Sequence, residues 1–435
     1  MEIARPAKMR YCTKCVYPKS SAVPLAFDEK GVCSGCRVHD QKIHIDWKKM
    51  EEKLKKLVEP YRSKGNKYDC IVPVSGGKDS YFQTWYVTNV LKMKPLLVTY
   101  QGNDYYDVGL KNLHNMRNVF NADHFIMGPS VDILKKLHKK CFKMMGDMSW
   151  HNHCGIFSFP VQAAVKFKVP LIIWGEHGYT DIGGMYNMND LVEMTKKYRT
   201  EHACRGFDWY DMIDEEIGIT EKDLLCHKYP TDEELEENDI RGIYMGFYVF
   251  WDANAHFKRM TEELGFLPAE FPFERTYRRF SALDDMHEAG IHDYMKFIKF
   301  GYGRGSDHPC KDIRLGYMTR EEGIANIKKY DAVKPMQDLN RWLKYVEMTE
   351  EEFDRTADTF RDPSVWWIQD GEWWKDNIWG EPSSYGKVWL TEELQKKYYW
   401  NDTKKGISRG PLLITQGRQD IKKSSEEKLS TVPQN

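Results

Sequence analysis

The stretch Cys70-Ile-Val-Pro-Val-Ser-Gly-Gly-Lys-Asp-Ser80 decides how the chain is read. Cys70 to Val74 is a short apolar run suited to a buried strand. The chain then breaks at Ser75-Gly76-Gly77 and enters a helix at Lys78-Asp79-Ser80. Two glycines allow a sharp turn and bring bare N–H groups close to a ligand. The helix start that follows adds orphan donors and a partial positive charge. Ser75 and Ser80 offer hydroxyls and Lys78 a full charge, so a phosphate site is expected here. Pro73 has no N–H to give a central ladder, which suggests that pairing ends beside it.

The loop is not of the G-x-x-x-x-G-K-[ST] kind, because its glycines sit directly against the lysine. The string Ser-Gly-Gly-Lys-Asp-Ser instead resembles the PP-loop of ATP pyrophosphatases. The resemblance implies that Ser75, Gly76, Gly77, Lys78, Asp79 and Ser80 grip the pyrophosphate that leaves when a substrate is adenylylated.

Working outward, Trp47 to Tyr61 spaces Met50, Leu54, Leu57 and Val58 on one helix face. Strands are expected at 95–100, 123–127 and 170–174, with helices over 80–91, 107–120, 130–145 and 157–167. Such alternation predicts an α/β fold, a parallel sheet with helices on both faces. Ligands of such sheets sit at the carboxyl ends of the strands. That rule adds Tyr100, Asn103 and Gly175 to the expected ATP site, and Glu176 and Asp181 as Mg²⁺ or substrate ligands. Asp79, inside the loop, is a stronger metal candidate. Lys78, Asp79 and Glu176 are the expected catalytic groups.

Near the N-terminus, Cys12-Thr-Lys-Cys15 and Cys33-Ser-Gly-Cys36 form two C-x2-C pairs. That spacing matches a closed four-cysteine site for structural Zn²⁺. Gly31-Val-Cys33-Ser-Gly35 also fits a glutaminase elbow, but no H-x-E occurs in the chain, so ammonia is expected from elsewhere. Trp150-His-Asn-His-Cys154 is a polar patch placed before a helix, with Cys154 as a substrate contact; no second cysteine stands near it in sequence. The stretch 299–316 is rich in glycine and expected to be irregular. Arg304, Asp307, His308 and Arg314 cluster in it, a set suited to an anionic ligand such as a nucleotide sugar.

The 435 residues carry a net charge of −1, which argues against a nucleic-acid partner. No run approaches the roughly 18 apolar residues of a membrane span. The start has no apolar leader, so a cytoplasmic location is expected. The organisation is read as a zinc-binding region at 1–45, an ATP pyrophosphatase domain at 46–200, a mainly helical substrate and partner region at 201–400, and a polar tail at 401–435.

The four elements in this order (zinc knuckles, phosphate loop, Trp-Gly-Glu segment, and Gly-Tyr-Gly-Arg-x-x-Asp-His) resemble the N-acetyl sugar amidotransferases of lipopolysaccharide O-antigen and flagellin glycan biosynthesis. Gly305-Ser306 stands where that family more often has Ala-Thr, and His177 follows the glutamate. The resemblance implies a PP-loop (HUP-like) fold that uses Mg·ATP to convert a sugar acetamido group to an acetamidino group. It also implies a separate glutaminase subunit like that of imidazole glycerol phosphate synthase, with a cyclase-like companion in some cases. Two other readings stay open: a PP-loop enzyme adenylylating a tRNA base, and a nucleotide-binding assembly protein.

Overall fold

The computed structural model describes residues 2–22, 25–62, 67–178, 206–281 and 287–391, with positions 180, 183–184, 186, 188–190, 193–194, 199 and 203–204 between. Asp181 and the 401–435 tail lie outside the described residues.

Five parallel strands form the central sheet: β1 (Cys70–Pro73), β2 (Pro95–Tyr100), β3 (His124–Met127), β4 (Leu171–Trp174) and β5 (Arg241–Tyr244), in the order β3-β2-β1-β4-β5. Burial is continuous along β2 and β4 while successive residues join opposite cores, so both faces are covered. Val72, Leu97, Leu171 and Ile173 join one core with Leu54, Tyr81, Leu113 and Met260, while Ile71, Val98 and Ile172 join the other with Phe159 and Ala164. Strand β5 stands beyond residue 200, so the parallel unit extends past the boundary read from the sequence. The signal was hidden by the aromatic, glycine-punctuated run 241–251, which reads as generic core.

The expectation at Pro73 needs correcting. The ladder with β2 runs through Pro73 opposite Val98 and on to Val74, whose N–H bonds Val98 O at 2.9 Å. In a parallel strand alternate residues face opposite neighbours, so the N–H that Pro73 lacks belongs on the β4 side. There the paired residues are Ile71 and Ile172. The proline thus ends pairing on one side alone, and the sheet parts between β1 and β4, where the strand order reverses.

Helices α1 (Ser34–Ile43), α2 (Trp47–Val58), α3 (Lys78–Trp85), α4 (Asp107–Phe120), α5 (Val131–Met145) and α6 (Trp150–Phe167) lead through the first part of the chain. The patch 150–154 is therefore the start of α6 rather than a segment before it. Next come α7 (Asp232–Glu237), capped by Thr231 and Glu234, and α8 (Ala253–Leu264). The C-terminal region is mainly helical: α9 (Glu288–Phe300), α10 (Arg304–Leu315), α11 (Arg320–Tyr330), α12 (Met336–Val346) and α13 (Glu350–Asp358). An antiparallel sheet of β6 (Trp366–Gln369), β7 (Glu372–Lys375) and β8 (Ser383–Lys387) follows. Its first turn is Asp370-Gly371, both at positive φ, which suits a tight hairpin. The tryptophans at 366 and 373 are buried core residues of this sheet.

Sheet and helical layer are joined by a buried polar chain. Trp342 Nε1 lies 3.0 Å from His138 Nδ1, His138 Nε2 is 2.8 Å from His151 Nε2, His151 Nδ1 is 3.0 Å from the Tyr100 hydroxyl, and that hydroxyl is 2.9 Å from His227 Nε2. An indole only donates. His138 must therefore accept at Nδ1 and donate from Nε2, which obliges His151 to donate to Tyr100 and leaves the Tyr100 proton to point at His227. Burial pushes His138 down to about 3, His227 to about 4, and His151 well below its ordinary value. Below the ordinary value near 6.5 the unfolded chain takes up protons that the folded chain refuses. Stability from these groups is thus complete above pH 6.5 and is lost as pH falls through 4 towards 3, by up to about 1.4 kcal/mol per pH unit for each histidine. Urea midpoints measured from pH 7 to 4 should fall accordingly, and His138→Gln should flatten the slope by up to one proton; an unchanged slope would contradict the assignment.

Candidate functional site

The parting of β1 from β4 holds the loop after β1. Ser80 Oγ accepts the Ser75 amide at 2.9 Å and meets Ser75 Oγ at 3.1 Å, closing the loop on itself. Gly76 sits at φ +87°, and a Cβ there would come within 2.7 Å of the Leu113 backbone on α4. Only glycine fits this position. Gly77 is the N-cap of α3 and gives it no side-chain cap, so the first amides of the helix stay available to an anion.

Lys78 is buried; its Nζ pairs with Asp79 Oδ2 at 2.6 Å and lies 5.5 Å from the Phe280 ring centre. Burial raises the Asp79 carboxyl, but the ammonium of Lys78 and the neighbouring His256 outweigh it and hold the group well below the usual carboxylate range. Asp79 Oδ1 and His256 Nδ1 stand 3.7 Å apart, and neither has a hydrogen-bond partner among the described residues. His256 of α8 is stacked flat on Phe82 with centroids 3.5 Å apart.

Facing the loop is α10. The sequence suggested an irregular loop over 299–316, and the structure corrects that from Arg304 onward. Gly303 ends the preceding turn as N-cap, and Gly305 is required because a Cβ would fall 2.7 Å from Asp331 Oδ1. The glycines serve close packing of the helix, not disorder. Arg304, Asp307, His308 and Lys311 follow a helical period and line one side of a cavity of about 200 Å³. Its other walls include Ser75, Gly77, Lys78, Asp79, Ser80 and Glu176.

The cations of this cavity are held by carboxylates. Arg304 Nη2 meets Asp293 at 2.7 Å, Lys311 meets Glu176 at 2.5 Å, and Arg278 Nη2 meets Asp312 at 2.5 Å. Asp307 accepts from Tyr17 at 2.8 Å and pairs with Lys296. His308 is buried, which keeps it neutral, with the cations Arg278 and Arg304 acting in the same direction. The Thr276 hydroxyl accepts the Arg278 amide and lies 2.6 Å from His308 Nδ1.

Other expected site residues lie elsewhere. Tyr100 is buried in the polar chain described above. Asn103 donates to the Tyr345 hydroxyl at 3.4 Å, and Gly175 accepts the Gly246 amide at 3.0 Å; neither is among the residues lining the cavity. Gly76 stands behind the loop, as its contact with α4 requires. Cys154 is fully buried on the inner face of α6, with its Sγ 3.4 Å from His227 O. It does have a second cysteine: Cys204 hydrogen-bonds it, and Arg199 Nη1 lies 3.4 Å from Cys204 Sγ. Burial pushes the Cys154 thiol up, while the bond from Cys154 and then the guanidinium pull Cys204 down. Fifty residues separate the two in sequence, so spacing gave no sign of the pair.

Arg314 also turns away from the cavity. Its Nε is 3.4 Å from Cys36 Sγ, and its Nη2 is 3.6 Å from Cys33 and 4.0 Å from Cys15. The Sγ atoms of Cys12, Cys15, Cys33 and Cys36 all lie within 4.8 Å of one another and are buried. Cys12 Sγ also accepts the amides of Lys14, Cys15 and Cys33 at 3.3–3.4 Å. Four converging sulfurs with amide and guanidinium donors form a metal-binding cluster in character. Sequence reasoning missed Arg278, Lys311 and His256. Lys311 was recoverable, since it lies seven residues after Arg304 on one helical stripe.

Residues 274–378 match the family model for the C-terminal domain of WbpG-like LPS biosynthesis proteins. The resemblance to lipopolysaccharide biosynthesis proteins is borne out over that segment, which contains α10 and most of the facing cations. An uncharacterized protein of Methanocaldococcus jannaschii, MJ1599, is 24% identical over 116 residues, covering 27% of this chain and 42% of that protein. The chain thus spans less than half the length of that relative. The solved structure of the U34-tRNA thiolase NcsA from Methanococcus maripaludis with its 4Fe–4S cluster aligns over 76% of this chain and 96% of its own, at 12% identity and a TM-score of 0.25. A likeness that loose carries no argument.

Gly76→Ala should weaken ATP binding at least tenfold with the overall fold retained, as read by titration calorimetry beside circular dichroism. Undiminished affinity would show that the loop tolerates a side chain and is not shaped for an anion.

Proposed function

With residues 274–378 standing as a WbpG-like C-terminal domain, we propose that the chain is an ATP-dependent amidotransferase of lipopolysaccharide biosynthesis. It converts an acetamido group of a nucleotide-activated sugar to an acetamidino group. The observation that carries the reading is the convergence of the 75–80 loop with the cationic stripe of α10 on one cavity at the point where strand order reverses.

The acetamido oxygen attacks the α-phosphorus of ATP, and the bond to pyrophosphate breaks. Ammonia adds to the imidate carbon, the C–O bond breaks, and AMP leaves with the former amide oxygen. Activation is needed because an amide oxygen is a poor leaving group and AMP a good one. The amides at the start of α3 and the Lys78 ammonium take the charge of the departing pyrophosphate. Mg²⁺ would be held by Asp79, whose Oδ1 has no hydrogen-bond partner among the described residues, with Glu176 nearby, and would supply further charge neutralisation. Arg304 and Lys311 exchange their carboxylate partners for the anionic sugar nucleotide. The four-cysteine cluster is a closed donor set suited to structural Zn²⁺. Ammonia comes from a separate glutaminase subunit.

The Cys154–Cys204 pair favours a second reading, a PP-loop enzyme of tRNA thiolation. Against it, both sulfurs are fully buried, neither lines the cavity, and the chain carries no net positive charge.

Two outcomes are expected. Pyrophosphate release from Mg·ATP with ammonium chloride should require a UDP- or CMP-linked N-acetylated sugar and give a product about one dalton lighter; Lys78→Ala should slow it about 100-fold or more. Release that depends on tRNA alone would establish the second reading. Cys12→Ser should bring bound metal from one ion per chain to near zero and lower the melting temperature, and a variant that keeps both would refute a structural metal site.

A further inference from the structure

Ser306 of α10 faces a second cavity, of about 220 Å³, which the reaction above does not use. It opens between the end of α9, the end of α11 and the β7–β8 turn. Rings of Tyr11, Tyr302, Tyr385 and Trp379 line it, together with Lys375 and Asp331.

Lys375 is 4% exposed and Asp331 is 6% exposed. The Lys375 ammonium donates to Asp376 O at 2.9 Å and Asn377 Oδ1 at 2.8 Å, and no carboxylate pairs with it among the described residues. One of its three protons has no hydrogen-bond acceptor among the described residues, and the ammonium lies 5.2 Å from the Tyr385 ring centre and 5.9 Å from that of Phe297, with Lys328 also on the cavity lining. Asp331 Oδ2 accepts the Ser306 hydroxyl at 2.5 Å, while Oδ1 is buried with no hydrogen-bond partner among the described residues. The two groups feel each other's charge without forming an ion pair. Burial brings Lys375 down to about 8 and raises Asp331 to about 6, the latter against the pull of Ser306 and the Gly303 amide.

A lone ammonium and a lone carboxylate on one buried wall are costly unless something between them answers both. A neutral polyol would leave both charges uncompensated, and a simple anion or cation would leave one. The aromatic walls suit an alkylammonium group. We propose that the cavity binds a small zwitterion of the α-amino acid class, its carboxylate on Lys375 and its ammonium on Asp331.

The test is titration calorimetry of the full-length, metal-loaded chain against glycine, L-alanine, L-serine, L-glutamine and L-glutamate, with glucose and ammonium acetate as controls. At least one amino acid should bind and the controls should not. Lys375→Met and Asp331→Asn should each weaken that binding at least tenfold while pyrophosphate binding stays unchanged. Should a variant fold poorly, the methyl ester and the N-acetyl form of the bound amino acid, titrated into the wild-type chain, ask the same question from the ligand's side, and both should fail. Silence from every amino acid, equal binding of glucose or acetate, or undiminished binding of the blocked forms would overturn the proposal.

Discussion

The Arg314 guanidinium against three cysteine sulfurs is the contact on which the site depends. It is buried at the end of α10, and the same helix begins with Arg304, Asp307 and His308 at the cavity beside the 75–80 loop. A divalent ion on four thiolates leaves two negative charges in a place that water does not reach, and a guanidinium is the side chain that can answer them without losing its proton. The N-terminal knuckle and the WbpG-like segment are therefore one electrostatic unit. Arg320, at the start of α11, adds bonds to the carbonyls of Cys15 and Cys12 at 3.1 and 3.2 Å. The register of α10 along its axis follows from where those sulfurs are fixed, and the position of the cationic stripe follows from that register.

Around the cavity each cation has a carboxylate already. Such a wall does not attract anions by net charge; it holds its side chains in place and exchanges partners when a stronger acceptor arrives. Phosphate oxygens suit that exchange, because they accept several charge-assisted bonds at once. Arg304 is the least buried of the arginines concerned and is the one best placed to change partners, whereas Arg275 and Arg278 are fixed in a network with Asp293, Asp338 and Asp312. On the proposed reading, the partly exposed Arg304 at the mouth would meet the anion while the buried arginines behind it keep their carboxylates.

Much of the fold was legible because local signals agreed with one another. Apolar runs bounded by turns located four strands, and the structure starts α7, α11 and α13 at capping boxes on Thr231, Thr319 and Thr349, a signal equally local in sequence. The strand–glycine turn–helix junction at 70–80 and the four-cysteine cluster were legible because each is a short motif whose geometry is local. What failed depended on distance in sequence. Cys204 reaches Cys154 and Arg314 reaches the cysteines only through the tertiary fold. Tyr100 stands at the carboxyl end of a strand, as a ligand contact would, but its neighbours on α6 turn it inward. Glycines in 299–316 read as looseness, because a residue kept small for a neighbour's approach looks the same in sequence as one kept small for a turn.

The directed histidine chain has a consequence for how this protein can be taken apart or changed. Trp342 of the C-terminal layer sets the sense in which Tyr100 of the sheet points its proton, three hydrogen bonds away. A helical layer grafted from a distant relative that brought an acceptor to that spot would turn every buried ring behind it to its other tautomer, and one that brought an apolar group would take away the partner of His138 Nδ1. Sheet and C-terminal layer are thus coupled through their protons, and recombination across this seam disturbs them least between chains that agree on the direction of the bonds.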